Sequence, residues 1–203
     1  PSSCGGGIKN LNKIESLLKS GADKVLINSF ATKKPRFIKE SSKVFGSQCI
    51  SVGIDVFFRD NKFEVWTDYG RERTKLNLLD WVEKVQDLGA GEIILSSINN
   101  DGTGKGFNIR LIEEVIEKIK IPLVYGGGCG KIDHVLDLIK KFPHLSGISI
   151  SSAFHYNYYK GIFDRKFYSN YKNRNVNFDI GNTEFVHNHT YPKIVDGFSI
   201  KSL

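Results

Sequence analysis

Hydrophobic positions along this chain switch repeatedly between two periods. Leu11, Ile14, Leu17 and Leu18 share one helical face, and Gly21 ends that helix. Pro35 stands where a second helix begins, with Phe37, Ile38 and Val44 as its apolar stripe. Residues 78–85 form an amphipathic helix closed by Gly89, and helical patterns recur at 109–119 and 132–139. Between them stand short apolar strand-like runs at 24–28, 92–97, 122–125 and 147–151, and residues 2–4 read as the tail of a strand. Residues 49–55, CISVGID, are nearly continuously apolar, as a parallel strand covered on both faces should be. Residues 57–58 and 63–67 flank Arg59-Asp60-Asn61-Lys62 and predict a β-hairpin. About six strands alternating with helices are the signature of a parallel sheet built from βαβ units.

The pattern also repeats. Residues 122–154 read as strand, glycine turn, helix, strand and small-residue turn, and residues 1–30 read the same way. Both copies open with Pro, three residues and Gly-Gly-Gly; Pro1 matches Pro122, and Asn28-Ser29 matches Ser151-Ser152. The spacing is far longer than a solenoid repeat. It suits half of an eight-unit barrel, which typically runs to about 250 residues. The fold expected is therefore α/β, a (β/α)8 TIM barrel with a half-barrel internal repeat. The chain forms one incomplete barrel domain over 1–203, lacking the first two β/α units and most of the last helix, which begins near 199–203. Such a barrel would expose two sheet edges. Residues 156–195 are polar, aromatic and basic without clean periodicity, and are expected to be an insertion after the last strand.

Composition narrows the class. Of the 203 residues 40% are hydrophobic and 25% charged, ordinary for a globular protein. No apolar run reaches the 18 residues of a membrane span. Cys4, Cys49 and Cys129 form no CxxC pair, which fits a reducing cytosol and argues against a zinc site. His187 and His189 are the only histidine pair at ligand-like spacing, a weak signal, so neither a metal nor a cofactor is expected. The net charge of +7 could signal nucleic acid. The lysines are spread over helix faces, however, and phosphorylated substrates explain the excess equally well. Neither a nucleic-acid nor a membrane partner is expected.

The candidate chemistry sits at strand ends. Consecutive glycines accept positive φ and present backbone N–H groups to anions. Two such turns half a barrel apart suggest a ligand with a phosphate at each end; tight turning alone is the plainer alternative. Asp55 ends the apolar 49–55 strand at the face where barrel chemistry occurs, as an acid or base, or as a turn cap. Asp101 follows the next strand in Asn99-Asn100-Asp101-Gly102-Thr103, where function and a simple Asp-Gly turn remain open.

GGGIKNLNKIESLLKSGADKVLIN, FGSQCISVGID, GAGEIILSSINNDGTGKGFN and GGGCGKIDHV together resemble the cyclase subunit of imidazole glycerol phosphate synthase, from residue 1 to 155. That family is a (β/α)8 barrel with half-barrel symmetry. It takes ammonia from a glutaminase partner. It cyclises a bis-phosphorylated phosphoribulosyl-formimino aminoimidazole-carboxamide ribonucleotide to imidazole glycerol phosphate and the aminoimidazole ribonucleotide, a lyase step of histidine biosynthesis in the cytoplasm. The resemblance implies Asp55 as one of two acid/base aspartates, the other lying on a first strand absent here, and Asp101 as a further active-site aspartate. It implies Gly7, Asn28 and Ser29 at one phosphate, and Gly102, Gly128, Ser151 and Ser152 at the other. Lys24 and Glu92 match charged residues that gate ammonia at the opposite face; a plain structural ion pair is the alternative.

Some positions depart from the family. Asn99 stands where Asp is usual, and Gly126 and Cys129 where Ser and Ala are usual. HLSGISISSAFHYN and the insertion also differ. These features resemble a paralogous branch that works with a glutaminase and a separate amidotransferase to place acetamidino groups on surface-polysaccharide sugars.

Overall fold

The computed structural model describes residues 2–154. The expected insertion at 156–195, His155, His187, His189 and the helix start at 199–203 lie outside the described residues. The elements run β1 (Ser3–Gly5), α1 (Leu11–Lys19), β2 (Lys24–Ile27), α2 (Ser29–Lys33), α3 (Arg36–Phe45), β3 (Ile50–Arg59), β4 (Lys62–Thr67), β5 (Glu72–Asn77), α4 (Leu78–Asp87), β6 (Glu92–Ser97), α5 (Ile109–Val115), β7 (Leu123–Gly126), α6 (Ile132–Lys141) and β8 (Gly147–Ser149). The sheet order is β1-β2-β3-β6-β7-β8, with β4 and β5 attached beside β3. β1 with β2, β2 with β3, and β3 with β6 are parallel. Parallel strands joined through helices are the β/α-barrel architecture, over the part of it that this chain covers.

Local chemistry sets the helix ends. The Asn10 side chain accepts from Lys13 N at 2.9 Å and starts α1, which buries Ile14. Asn77 accepts from Leu79 N and Asp80 N and starts α4, which buries Leu78, Trp81, Val82 and Val85. Pro35 precedes α3 as the sequence leads one to expect. The expected helix at 109–119 is shorter: α5 stops at Val115 and a 3₁₀ turn follows at Ile116–Lys118. A distant side chain takes up the backbone groups this releases. Gln86 Nε2 donates to Lys118 O at 3.0 Å, and Gln86 Oε1 accepts from Lys120 N at 2.7 Å.

The 49–55 run proves less uniformly apolar in space than in sequence. Ile50, Val52, Ile54 and Val56 lie on one face of β3 and are 0–1% exposed. Ser51, Gly53 and Asp55 lie on the other, because successive side chains alternate. The hairpin forms between β3 and β4, with Arg59 opposite Lys62. Asp60 and Asn61 both take positive φ, 50° and 59°, the type I′ turn that matches strand twist. β5 was not anticipated. Its sequence ERTKLN is polar but for Leu76, and its pairing with β4 is carried by the backbone, by Arg73 with Glu64 and by Thr74 Oγ1 donating to Val65 O at 2.6 Å, while Lys33 of α2 pairs with Glu72 at 3.0 Å. Asn99 fastens the base of this excursion: Phe58 N donates to Asn99 Oδ1 at 2.6 Å, and Asn99 Nδ2 donates back to Phe58 O at 3.3 Å.

The chain divides into two compact units. Among the described residues, the first comprises 2–99, Ile109–Tyr125 and Leu145–Gly147; the second comprises Asn100–Asn108, Gly126–His144 and 148–154.

Candidate functional site

In the first unit the polar face of the sheet carries two groups of side chains. Strand register sets their places: Leu26 pairs with Ser51, Ser51 with Glu92, and Asp55 with Ser96. At the N-terminal ends, Lys24 Nζ meets Glu92 Oε2 at 2.6 Å, and Glu92 Oε1 accepts from Ser51 Oγ at 2.6 Å. Glu92 is 8% exposed, and both its oxygens have donors, which is what permits a carboxylate to be buried there. Ser51 was missed by sequence reasoning. The signal was a lone hydroxyl four residues before Asp55 in an otherwise apolar strand.

Four residues further along, Asn28 Nδ2 donates to Asp55 Oδ2 at 2.8 Å. At about 3.3 Å per residue the two polar groups stand roughly 13 Å apart along the strand. Gly53 leaves room for the Asn28–Asp55 bond, since a Cβ there would come within 3.1 Å of Asn28 Nδ2. Asn28 Oδ1 is buried without a partner, so the amide is held by its donor side. Trp66, also unanticipated, faces Asp55 across the β3–β4 ladder and packs against Phe57 with ring centroids 5.1 Å apart. Ser29 opens α2, and its Oγ accepts from Asp68 N at 3.1 Å, which leaves its O–H to donate. Gly7 has φ 65°, and a Cβ there would meet nothing within 4 Å.

The second unit holds the other glycine turn. Gly127 and Gly128 take φ 96° and 103°; Gly6, the counterpart of Gly127, takes 101°. Gly106 N donates to Gly128 O at 2.8 Å, and Asn100 Nδ2 donates to Gly106 O at 3.0 Å. Thr103 N donates to Asn100 O at 3.1 Å, so Asp101 and Gly102 occupy the centre of a β-turn, with Asp101 exposed. A Cβ on Gly128 would overlap the Gly106 carbonyl oxygen. Glycine at 128 is thus demanded by packing, whatever it also offers a ligand. Ser151 is exposed, and Ser152 is buried at the start of a helical turn. His134 Nδ1 accepts from Gly130 N at 3.1 Å. Burial pushes the Cys129 thiol up to about 11, so it stays a neutral thiol near neutral pH.

Among the described residues no cluster of His, Cys, Asp and Glu could hold a metal, and no helix is long and apolar enough to cross a membrane.

Parallel strands joined through helices, a polar sheet face with an aspartate near the end of the β3–β6 parallel ladder, and duplicated glycine turns define a β/α-barrel. The chain belongs to the family described as "Histidine biosynthesis protein", whose sequence profile matches residues 1–160. It is 43% identical over 141 residues to imidazole glycerol phosphate synthase subunit HisF of Exiguobacterium sp. (strain ATCC BAA-1283 / AT1b), covering 70% of this chain and 55% of that protein. It is 41% identical over 157 residues to the same subunit of Bacillus cereus (strain G9842), covering 77% and 62%. It is 40% identical over 158 residues to that of Clostridium botulinum (strain 657 / Type Ba4), again covering 77% and 62%. The chain therefore spans little more than half the length of these curated relatives.

Proposed function

We propose that the protein is an ammonia-using cyclase of histidine biosynthesis, a lyase acting as imidazole glycerol phosphate synthase does on a bis-phosphorylated aminoimidazole-carboxamide ribonucleotide. The observation that carries this reading is the Asn28–Asp55 pair at one end of the polar face, with Lys24–Glu92–Ser51 at the other. Asp55 is the group that gives or takes a proton, and Asn28 holds its carboxylate in one orientation. Gly7, Asn28 and Ser29 serve one phosphate; Gly102, Gly128, Ser151 and Ser152 serve the other, with Asp101 beside them. The relatives' name supports the pathway. The test is turnover of that substrate with ammonium salt by the intact protein; no cyclisation would discard the reading.

Ammonia comes from a glutaminase subunit docked at the strand N-termini, where Lys24 and Glu92 gate its passage. No cofactor takes part, and the complex works in the cytoplasm. Lys24→Met leaves the buried Glu92 without its cation, at a stability cost of about 1–3 kcal/mol. Glutamine-dependent turnover is expected to fall about tenfold relative to ammonia-dependent turnover. Equal loss of both, measured side by side, would mark a merely structural pair.

Gly7→Ala tests the first phosphate turn. Its Cβ would enter open space, so the folding cost is only the left-handed backbone, about 1–2 kcal/mol. Loss of one charge-assisted bond, about 1.5–3 kcal/mol, should weaken a bis-phosphorylated ligand by at least about tenfold in calorimetry. Unchanged affinity would remove Gly7 from the site.

The amidotransferase branch gains nothing from the departure at Asn99. An Asp there would accept from Phe58 N but could not donate to Phe58 O, so Asn at this position is explained by the hairpin.

A further inference from the structure

A cavity of about 850 Å³ lies in the first unit, and none of Lys24, Asn28, Asp55 or Glu92 lines it. Phe30, Phe37 and Leu11 supply its apolar part. Phe37 is 5% exposed and meets the half-exposed Phe30 edge-on, with centroids 5.0 Å apart. Lys9, Lys34, Arg36 and Lys84 line the same cavity. All four are exposed, and none forms an ion pair among the described residues. Elsewhere on this surface lysines do find partners, as Lys19 does with Glu15, Lys33 with Glu72 and Lys118 with Glu83. Glu40 is the only carboxylate among the described lining residues.

Four cations around one concavity, with no carboxylate partner among the described residues, repel one another, and the positive potential they create favours an anion. The volume falls within the range of small-molecule sites, about 300–1,000 Å³. Lys34 Nζ stands 5.6 Å from the Phe30 ring centroid, so cationic and aromatic groups are neighbours rather than separate patches. Complementarity asks for one molecule with both a flat apolar ring and several negative charges. We propose that this cavity binds a nucleoside di- or triphosphate, the base against Phe30 and the phosphates among Lys34, Arg36 and Lys84. Three positive charges in excess match a diphosphate or triphosphate better than a single carboxylate. The site is independent of the proposed cyclase chemistry, because it uses none of that chemistry's residues.

Calorimetry on the full chain tests it, with ADP, adenosine and pyrophosphate as separate probes. ADP is expected to bind one-to-one, about tenfold tighter than either half-molecule, since each half loses one class of contact. Arg36→Glu and Lys84→Glu reverse exposed charges and leave the core untouched; each should weaken ADP by about fivefold without changing the circular dichroism spectrum. Phe30→Leu keeps an apolar side chain but removes the ring face, and should erase the advantage of ADP over pyrophosphate. The proposal is overturned if ADP shows no saturable binding at millimolar concentration. It is overturned equally if pyrophosphate binds as tightly as ADP, or if neither charge reversal has any effect while Ser29→Ala abolishes binding.

Discussion

Asp55→Asn is expected to lower ammonia-dependent cyclisation by about 10²–10⁴-fold, the usual contribution of a positioned acid or base. The side chain keeps its size, and an amide oxygen can still accept from Asn28 Nδ2, whose 2.8 Å bond holds the native carboxylate. What disappears is proton transfer. Folding should therefore be nearly unaffected, and a bis-phosphorylated ligand should bind with little change. Asp55 is only half-buried, so the variant strands no fully buried charge. Steady-state turnover with ammonium salt, beside calorimetry with the ligand, reads the two effects separately. Turnover near that of the unaltered protein would reduce Asp55 to a structural acceptor for Asn28. Loss of ligand affinity equal to the loss of rate would make it a binding group.

Gly128→Val is expected to have the largest effect on stability. Glycine here takes φ 103°, and a Cβ would overlap the Gly106 carbonyl oxygen and come within 2.9 Å of Asn100 Cβ. Backbone is the obstacle, so no rotamer change relieves it. Left-handed strain of about 1–3 kcal/mol adds to an overpacking cost of about 1–3 kcal/mol. The Gly106 N bond to Gly128 O should break as the loop shifts, and Asn100, which donates to Gly106 O, moves with it. Chemical denaturation should show a loss of at least about 3 kcal/mol. A stability within about 0.5 kcal/mol of the parent would mean that the turn rearranges freely. Because the substitution unfolds the loop first, lost phosphate affinity in Gly128→Val says little about binding. Gly7, whose Cβ direction is open, is the position where affinity can be read.

Much of the architecture was legible because hydrophobic period is a local property. The strand and helix order, the Pro35 start of α3, the hairpin at Asp60-Asn61 and the paired glycine turns all follow from short local runs of sequence. Even the match between the turns survives in the backbone, where Gly6 and Gly127 share nearly the same φ. The positions of Lys24 and Glu92 at strand starts were equally readable, since an ionisable residue bounding an apolar run must sit where the buried strand meets solvent or a polar site. Asp55 was expected to end its strand, but β3 runs on to Arg59 because the β4 hairpin extends the ladder past it. β5 was not readable, because it is held by a neighbouring backbone, by Arg73 with Glu64 and by Thr74 on the Val65 carbonyl rather than by apolar alternation. Nor was the early end of α5, beyond which Gln86, more than thirty residues away in sequence, bonds the backbone of Lys118 and Lys120.

By itself, then, the sequence determined the order of β/α units, the internal duplication and the residue types available at each strand end. Tertiary structure alone decided the pairings. Parallel register set Ser51 beside Glu92, and β2 folding against β3 brought Asn28 to Asp55 over a glycine that leaves room for it. It also decided that Gly128 is held by Gly106 and that four cations share one cavity with no ion-pair partner among the described residues. The physical reason is distance along the chain. Propensity and period act over a few residues, whereas hydrogen bonds and charge act through space between segments whose separation the sequence does not encode locally.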